Sequence, residues 1–426
     1  MSAQDSALWA GLFDPRLRGR SDLCAVSAQG TRVTFADGQT RLCGTSGLWN
    51  VNLGYGNEAI ATAVAEALRE ASYLSCFRYE NVYARQAADA LIELAGAGHF
   101  QRVAFSTSGG AANDLAMKIA RHYDALRSAR PRKMIVSLQG SYHGLTFGGY
   151  ALTGEDLGQR VNGVDQRLIR HVPPNDPEAL ANLLARQGSQ IAAMVVEPML
   201  GSGAIPLTEE YVAELLRLRD QYGFLLVADE VATGFGRTGR WFASHAWPAP
   251  PDLMIVSKGL SNGAAAVAAV LISAPVAEAF ERAGVFPIHA ETQAGTPPSC
   301  AAITATIEQM HALDAVAAAA RLSKSLDEAL TRLVADHPHV TATTGVGCFR
   351  SVRVCGADGT PLAQTEVPEL VAAIRSEGAI VHPGPHGFQL VPALTYTEQE
   401  VAELLDCVSR GLERYFTQPA GARETS

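Results

Sequence analysis

The sequence predicts an α/β protein: a mostly parallel central sheet with helices on both faces, followed by a smaller α+β C-terminal domain. Short apolar runs at 103–106, 134–138, 194–197, 225–228, 254–257 and 268–272 alternate with longer helix-like segments. Runs that are apolar throughout, rather than every second residue, belong to strands buried on both faces, and alternation with helices makes such a sheet mainly parallel. A second observation supports this. Two of the runs end on charged residues, one on the adjacent acids Asp229 and Glu230 and one on Lys258, and parallel sheets carry their chemistry at the carboxyl ends of their strands.

The helical patterns fall at 111–126, 177–186 and 209–222. Asp176 before Pro177 is an N-cap followed by proline at the first helical position, where no amide donor is missed. Residues 1–45 read as an N-terminal arm or small-domain segment with a short hairpin, "GTRVTFADGQTRLC", turned at Asp-Gly. Residues 46–315 form the large domain and 316–426 the small one. The small domain opens with a long alanine-rich helix, continues with strands around 346–354 and 379–391, and closes with a helix. Thr397 and Glu400 at the start of that helix have capping-box spacing.

The bulk numbers exclude several classes. The 426 residues are too many for one small core and imply two or more lobes. Hydrophobic content of 47% and charged content of 18% describe a globular chain. A net charge of −9 argues against nucleic acid and against anionic membrane surfaces. The most apolar segment, 264–272, is too short to cross a bilayer, and Pro275 follows it closely. The N-terminus lacks the basic start and apolar stretch of a signal peptide. The seven cysteines are scattered without a C-x-x-C pair, so neither a metal site nor a disulfide framework is expected, and reduced thiols suit a cytoplasmic protein.

Four short stretches carry the chemistry. In "LLVADEVATGFGRTGRW" a buried strand ends on Asp229; a carboxylate there needs a cation or strong donors. That partner is either an arginine such as Arg237 or the protonated ring nitrogen of a ligand. In "LMIVSKGLSNG" Lys258 follows an apolar strand. It is either a solvated loop lysine or a desolvated amine able to form a Schiff base. In "VAFSTSGGAANDLAMKIARHY" a strand runs through Ser108, Gly109 and Gly110 into a helix, giving free N–H groups for a phosphate. In "GSYHGLTFGG" Tyr142 and His143 lie just past a strand end, where an aromatic can stack on a flat ring. A phosphate cradle, a stacking aromatic, a carboxylate for a ring nitrogen and a Schiff-base lysine are together what pyridoxal 5′-phosphate (PLP) requires. No G-x-G-x-x-G with a following acid appears after the first strand, against a nucleotide-binding reductase.

At this point the chain resembles the class III aminotransferases of PLP fold type I over nearly its whole length. The resemblance rests on "SGLWNVNLGYGN", "FSTSGGAANDLAMKIAR", "SYHGLTFGGYALTG", "MVVEPMLGSGA", "LLVADEVATGFGRTGRWFA", "PDLMIVSKGLSNG" and "ETQAGTPPSCAA", in this order. It implies that Lys258 is the Schiff-base lysine and proton shuttle, and that Asp229 partners the pyridine nitrogen. It implies Val231 and Tyr142 on opposite ring faces, Gly109 and Gly110 at the phosphate, and Glu197 near the phenolic oxygen. Thr292 matches a threonine that reaches the phosphate of the neighbouring subunit, which implies a homodimer. Trp49 matches a pocket aromatic, and Phe77 and Arg78 in "CFRYENVY" are pocket candidates.

The chain departs from the family pattern at three places. Ala111 and Asp114 stand where S-G-x-E-A-N-E has glutamates, and Ala232 stands where many members carry Gln. His382, in "AIVHPGPHGFQLVPALTY", stands where members that handle carboxylates usually carry Arg. Losing that guanidinium removes a bidentate carboxylate clamp and points to an amino donor and a ketone or aldehyde acceptor without a nearby carboxylate, unless Arg78 or Arg353 substitutes. The alternative is that His382 is a surface-loop histidine with no part in the pocket. "CGTSGLWNVNLGYGN", "SGGAAND" and "TGEDLGQRV" also resemble aminotransferases of daptide-type peptide natural-product clusters, whose implied acceptor is a ketone at the C-terminus of a modified peptide. The rival readings on the same fold are an aminomutase or epimerase, and a PLP-binding protein without turnover.

Overall fold

The computed structural model describes residues 7–417. At its centre is a seven-stranded sheet in the order Phe100–Ser106, Ala268–Ser273, Leu253–Val256, Leu225–Asp229, Ile191–Val196, Met134–Leu138, Ile169–Val172. The Ala268–Ser273 strand runs antiparallel to both neighbours, and the remaining pairings are parallel. Strand residues alternate between two cores. Val195, Val227 and Ile255 pack against the helix Gly109–Arg127 on one face. Met194, Val196 and Leu226 pack against Leu180, Leu183, Leu184, Tyr211 and Leu215 on the other. Every residue from Ile191 to Val196 is buried, which is why these strands carry no polar alternation.

The helix Pro177–Gln187 follows from local chemistry. Asp176 accepts the Ala179 N–H at 2.8 Å, and Leu180, Leu183 and Leu184 form the buried stripe. At roughly 1.5–3 kcal/mol per buried Leu, that stripe rather than propensity holds the helix. The edge strand Ile169–Val172 is missing from the sequence reading. Its central residues, Arg170 and His171, are half-buried and hide the apolar pattern.

The C-terminal part builds an antiparallel sheet in the order Val340–Val346, Phe349–Val354, Gly387–Leu390, His382–Gly384. The helices Ala315–Asp336, Val367–Ser376 and Glu398–Thr417 supply buried residues to its core. The capping box forms as expected: Thr397 N donates to Glu400 Oε2 at 2.8 Å and Glu400 N to Thr397 Oγ1 at 3.2 Å. The N-terminal segment joins this region. Its hairpin strand Thr40–Cys43 pairs in parallel with Ala379–Ile380, a long-range pairing that no local pattern reveals. Among the described residues no helix is long and apolar enough to cross a membrane.

Candidate active site

Five strands deliver their functional residues to one edge of the sheet. Ser108 follows Phe100–Ser106, His143 follows Met134–Leu138, Glu197 follows Ile191–Val196, Asp229 ends its own strand and Lys258 follows Leu253–Val256. This is the carboxyl edge of the parallel strands, where helix N-termini and loops converge.

Asp229 is buried and answers the question of its partner. His143 Nδ1 donates to Asp229 Oδ2 at 2.7 Å and Asn113 Nδ2 to the same oxygen at 2.9 Å. Among the described contacts, Oδ1 accepts from Val231 N alone, at 3.1 Å. One lone-pair side of a buried carboxylate is therefore left for a cationic N–H. Arg237, the alternative partner, points elsewhere. Its fully buried guanidinium donates to Ser46 Oγ at 2.9 Å, to Asn52 Oδ1 at 2.6 Å and to the Pro392 carbonyl. Burial without a counter-ion pushes its pKa down to about 10. Its work is to join the 46–52 turn to the small domain.

His143 is fixed from behind, its Nε2 lying 3.0 Å from Ser137 Oγ, and its own N–H donates to Thr153 Oγ1 at 2.9 Å. From its place in the loop it thus supports Asp229. Glu197 receives the Tyr142 N–H on Oε2 and the Gly201 N–H on Oε1, each at 3.0 Å. Burial raises its pKa to about 7; the nearby Asp229 adds to the rise, while His143 and the two N–H groups oppose it. Glu197 is therefore an acid that can hold or release a proton near neutrality.

Lys258 has its pKa lowered, chiefly by burial, against the pull of Asp229 and Glu197. Loss of hydration frees the amine for nucleophilic work. Its Nζ stands 4.7 Å from the centroid of the Trp49 ring. Lys258 and Trp49 both have positive φ, 45° and 65°, conformations that side chains rarely adopt and that the fold must enforce.

The helix Gly109–Arg127 opens with Ser108 as N-cap, its hydroxyl accepting from Ala111 N at 3.2 Å. A Cβ on Gly109 would lie 3.2 Å from a Val231 methyl, and one on Gly110 would lie 3.2 Å from Thr146 Oγ1. The cradle is thus as narrow as bare backbone allows, with Val231 directly behind it. The departure at Asp114 is compensated: its carboxylate accepts the Gly149 N–H at 2.6 Å. Tyr142 is partly exposed beside Glu197.

His382 is largely buried, on the strand His382–Gly384 beside Trp49. Its ring meets Trp49 edge-on at 5.0 Å, and Trp49 meets Phe349 at 4.8 Å. Burial depresses its pKa to about 4, with Lys258 adding to the effect, so it is neutral where an arginine would be charged. The surface-loop reading is overturned. Neither substitute arginine joins this cluster. Arg78 is exposed, its guanidinium 5.2 Å from the ring of the exposed Phe77. Arg353 is exposed on the strand Phe349–Val354. Phe77 and Arg78 thus lie exposed together on the surface of this chain. Thr292 is exposed on the loop that precedes the helix Pro297–Ala312.

Two participants carried too little signal to single out. Asn113 lies inside the quoted helix motif but looks like any helical Asn. Ser137 is hidden in an apolar strand. Glu230, beside Asp229, accepts from Ser244 N at 2.6 Å, Ala243 N at 3.1 Å and Thr233 Oγ1, so it caps the turn Ala243–Ala246 rather than serving the site.

The class-III aminotransferase family profile matches residues 17–412. The chain is a class-III aminotransferase. It is similar to an omega-aminotransferase of Caulobacter vibrioides, 30% identical over 429 residues, covering 95% of this chain and 97% of that protein. It is also 31% identical over 399 residues to an acetylornithine aminotransferase of Bacillus subtilis, covering 93% and 97%. A PLP-bound amine transaminase from an uncultivated Pseudomonas species superposes with a TM-score of 0.91 at 28% identity, covering 96% of this chain and 99% of that one. An (S)-enantioselective omega-transaminase of Thermomicrobium roseum gives 0.91 at 28% identity, with coverage of 95% and 96%. This aminotransferase therefore uses PLP, and its reaction is transamination. The residues present fit that cofactor: a desolvated amine, a carboxylate oxygen with spare capacity and a backbone cradle at a helix N-terminus.

Proposed function

We propose that this aminotransferase moves an amino group from an amine donor to a ketone or aldehyde whose reacting carbon carries no adjacent carboxylate. His382 carries the reading: a neutral imidazole packed on Trp49 occupies the place of a guanidinium clamp. A ketone borne at the C-terminus of a modified peptide has the chemistry that such a pocket accepts, since its carbonyl is flanked by carbon and not by a charge. The similarity to omega- and amine transaminases supports the same substrate class.

PLP, when bound, supplies an electrophilic carbon and an electron sink. The chain supplies the rest. Lys258 Nζ would hold the aldehyde end of the cofactor and is the amine placed to move a proton at the substrate carbon. Asp229 Oδ1 would hold the ring nitrogen, and His143 and Asn113 hold Asp229. The N–H groups of Gly109 and Gly110 would hold the phosphate, Glu197 would serve the phenolic oxygen, and Val231 and Tyr142 would hold the ring between them. Thr292 completes the phosphate site of a second copy, so the working unit is a homodimer. An exposed Thr292 and an exposed apolar run, Tyr73, Leu74, Phe77 and Tyr79, support that assembly.

The test is a comparison of acceptors with the holoenzyme: pyruvate, 2-oxoglutarate, a methyl ketone and a short peptide ending in a methyl ketone. The ketones are expected to exceed the keto acids in kcat/KM. A preference for 2-oxoglutarate over every ketone would reject the proposal.

A further inference from the structure

A cluster of titratable groups outside the site just described reaches the end of the strand Phe100–Ser106. Lys118 Nζ is 3.1 Å from His289 Nδ1, and His289 Nε2 is 3.1 Å from Glu291 Oε1. A lysine ammonium can only donate, so Nδ1 accepts and Nε2–H donates to Glu291. The Glu291 carboxylate also accepts from Ser106 Oγ, from Thr107 Oγ1 and, at 3.1 Å, from Thr107 N. Burial alone would raise its pKa; the hydroxyls and the other donors outweigh it and hold the pKa below the usual value.

Those donors sit at the end of the strand Phe100–Ser106, one residue before the phosphate cradle begins at Ser108. Glu291 itself immediately precedes Thr292. The same loop is fixed again three residues beyond Thr292, where Asn81 Nδ2 donates to the Gly295 carbonyl at 2.9 Å. Between the two anchors the chain turns, with Ala294 N donating to the Glu291 carbonyl at 3.1 Å, and Thr292 is left exposed.

We propose that Glu291 is a positioning residue: it latches the loop to its own subunit's cradle so that Thr292 is presented to the phosphate of the partner subunit. The inference rests on the reading that Thr292 completes the partner's site. It also gives the two sites a mechanical link, since one carboxylate holds the lead-in to one cradle and the threonine that serves the other.

Electrostatics and the latch predict opposite signs. A carboxylate one residue from a phosphate site repels the phosphate, so Glu291→Gln should tighten PLP binding if charge were its main effect. As a latch, Gln offers one acceptor oxygen to a set of donors that needs two, and PLP binding weakens. PLP dissociation constants of wild type, Glu291→Gln, Thr292→Val and the double variant, measured by fluorescence titration of the apoenzyme, decide between them. Thr292→Val should weaken binding roughly ten- to hundredfold, the loss of one hydrogen bond to a charged group. Glu291→Gln should weaken it in the same direction, and the double variant should match Thr292→Val, because a misplaced loop costs nothing once the hydroxyl is gone. Thr107→Val, which removes one donor and keeps the backbone, is the milder substitute if Glu291→Gln does not fold. Tighter binding by Glu291→Gln, or additive losses in the double variant, would overturn the latch alone. A silent Thr292→Val would overturn both the latch and the partner-site reading beneath it.

Discussion

Placing a charge at position 382 reverses the feature on which the proposed substrate class depends, so His382→Arg is the most informative substitution. Two terms set its size. Burial lowers the His382 pKa from 6.5 to about 4; that drop of about 2.5 pKa units, at ~1.36 kcal/mol each, makes a cation there cost on the order of 3 kcal/mol in the unliganded pocket. Against this, a guanidinium–carboxylate pair returns about 1.5–3 kcal/mol, and only when a carboxylate is present. A keto acid therefore recovers most of the cost and a simple ketone recovers none. The ratio of kcat/KM for pyruvate to that for a methyl ketone should rise about ten- to hundredfold, and the unliganded variant should melt earlier. The assay is steady-state kinetics with both acceptors at fixed donor, alongside thermal unfolding. An unchanged ratio in a variant that folds and binds PLP would refute a pocket role for position 382.

Other expectations follow from the same geometry. Between pH 6.5 and about 4 the unfolded chain binds a proton at His382 that the folded chain excludes, so this residue's contribution makes stability fall as pH drops through that window. Denaturant unfolding of His382→Asn across the window should show a shallower loss than wild type. Asn113→Ala removes one of two donors to Asp229 Oδ2 and should lower kcat by about tenfold or more while KM changes little. Gly144 has φ of 104°, and a Cβ there would come within 2.5 Å of the Gly110 Cα. Gly144→Ala should cost about 2 kcal/mol or more in denaturant unfolding and weaken PLP binding by displacing the cradle. Arg237→Met leaves Ser46, Asn52 and the Pro392 carbonyl without their donor. A loss of about 3 kcal/mol is expected, read as an earlier calorimetric transition.

The central sheet is legible in the sequence because burial on both faces leaves uninterrupted apolar runs. The strand Ile169–Val172 escapes because its central pair, Arg170 and His171, is only half-buried at the sheet's edge. The pairing of Thr40–Cys43 with Ala379–Ile380 escapes because register between segments so far apart leaves no local trace. At the site, Lys258 and Asp229 stand out as charges at apolar strand ends. Asn113 and Ser137 do not, since their function lies in which side chain they face across the fold. His382 was readable as a departure, but its seat against Trp49 was not, because a histidine in a Pro-Gly loop is equally at home in solvent. Arg237 stood as an alternative partner for the converse reason: near Asp229 in sequence, it serves neutral oxygens of the 46–52 turn and the small domain instead.

The measurement that bears most directly on the account is the absorbance spectrum of the purified holoenzyme during single half-reactions with separate donors. The donors are a simple primary amine, a diamine, L-alanine, L-lysine and L-glutamate. Lys258 and the neutral pocket around His382 predict a visible cofactor band that bleaches toward the near ultraviolet with an amine lacking an adjacent carboxylate, faster than with L-glutamate. Bleaching by L-glutamate with none by any such amine would contradict the account, because it would require a carboxylate clamp where the structure places an uncharged imidazole.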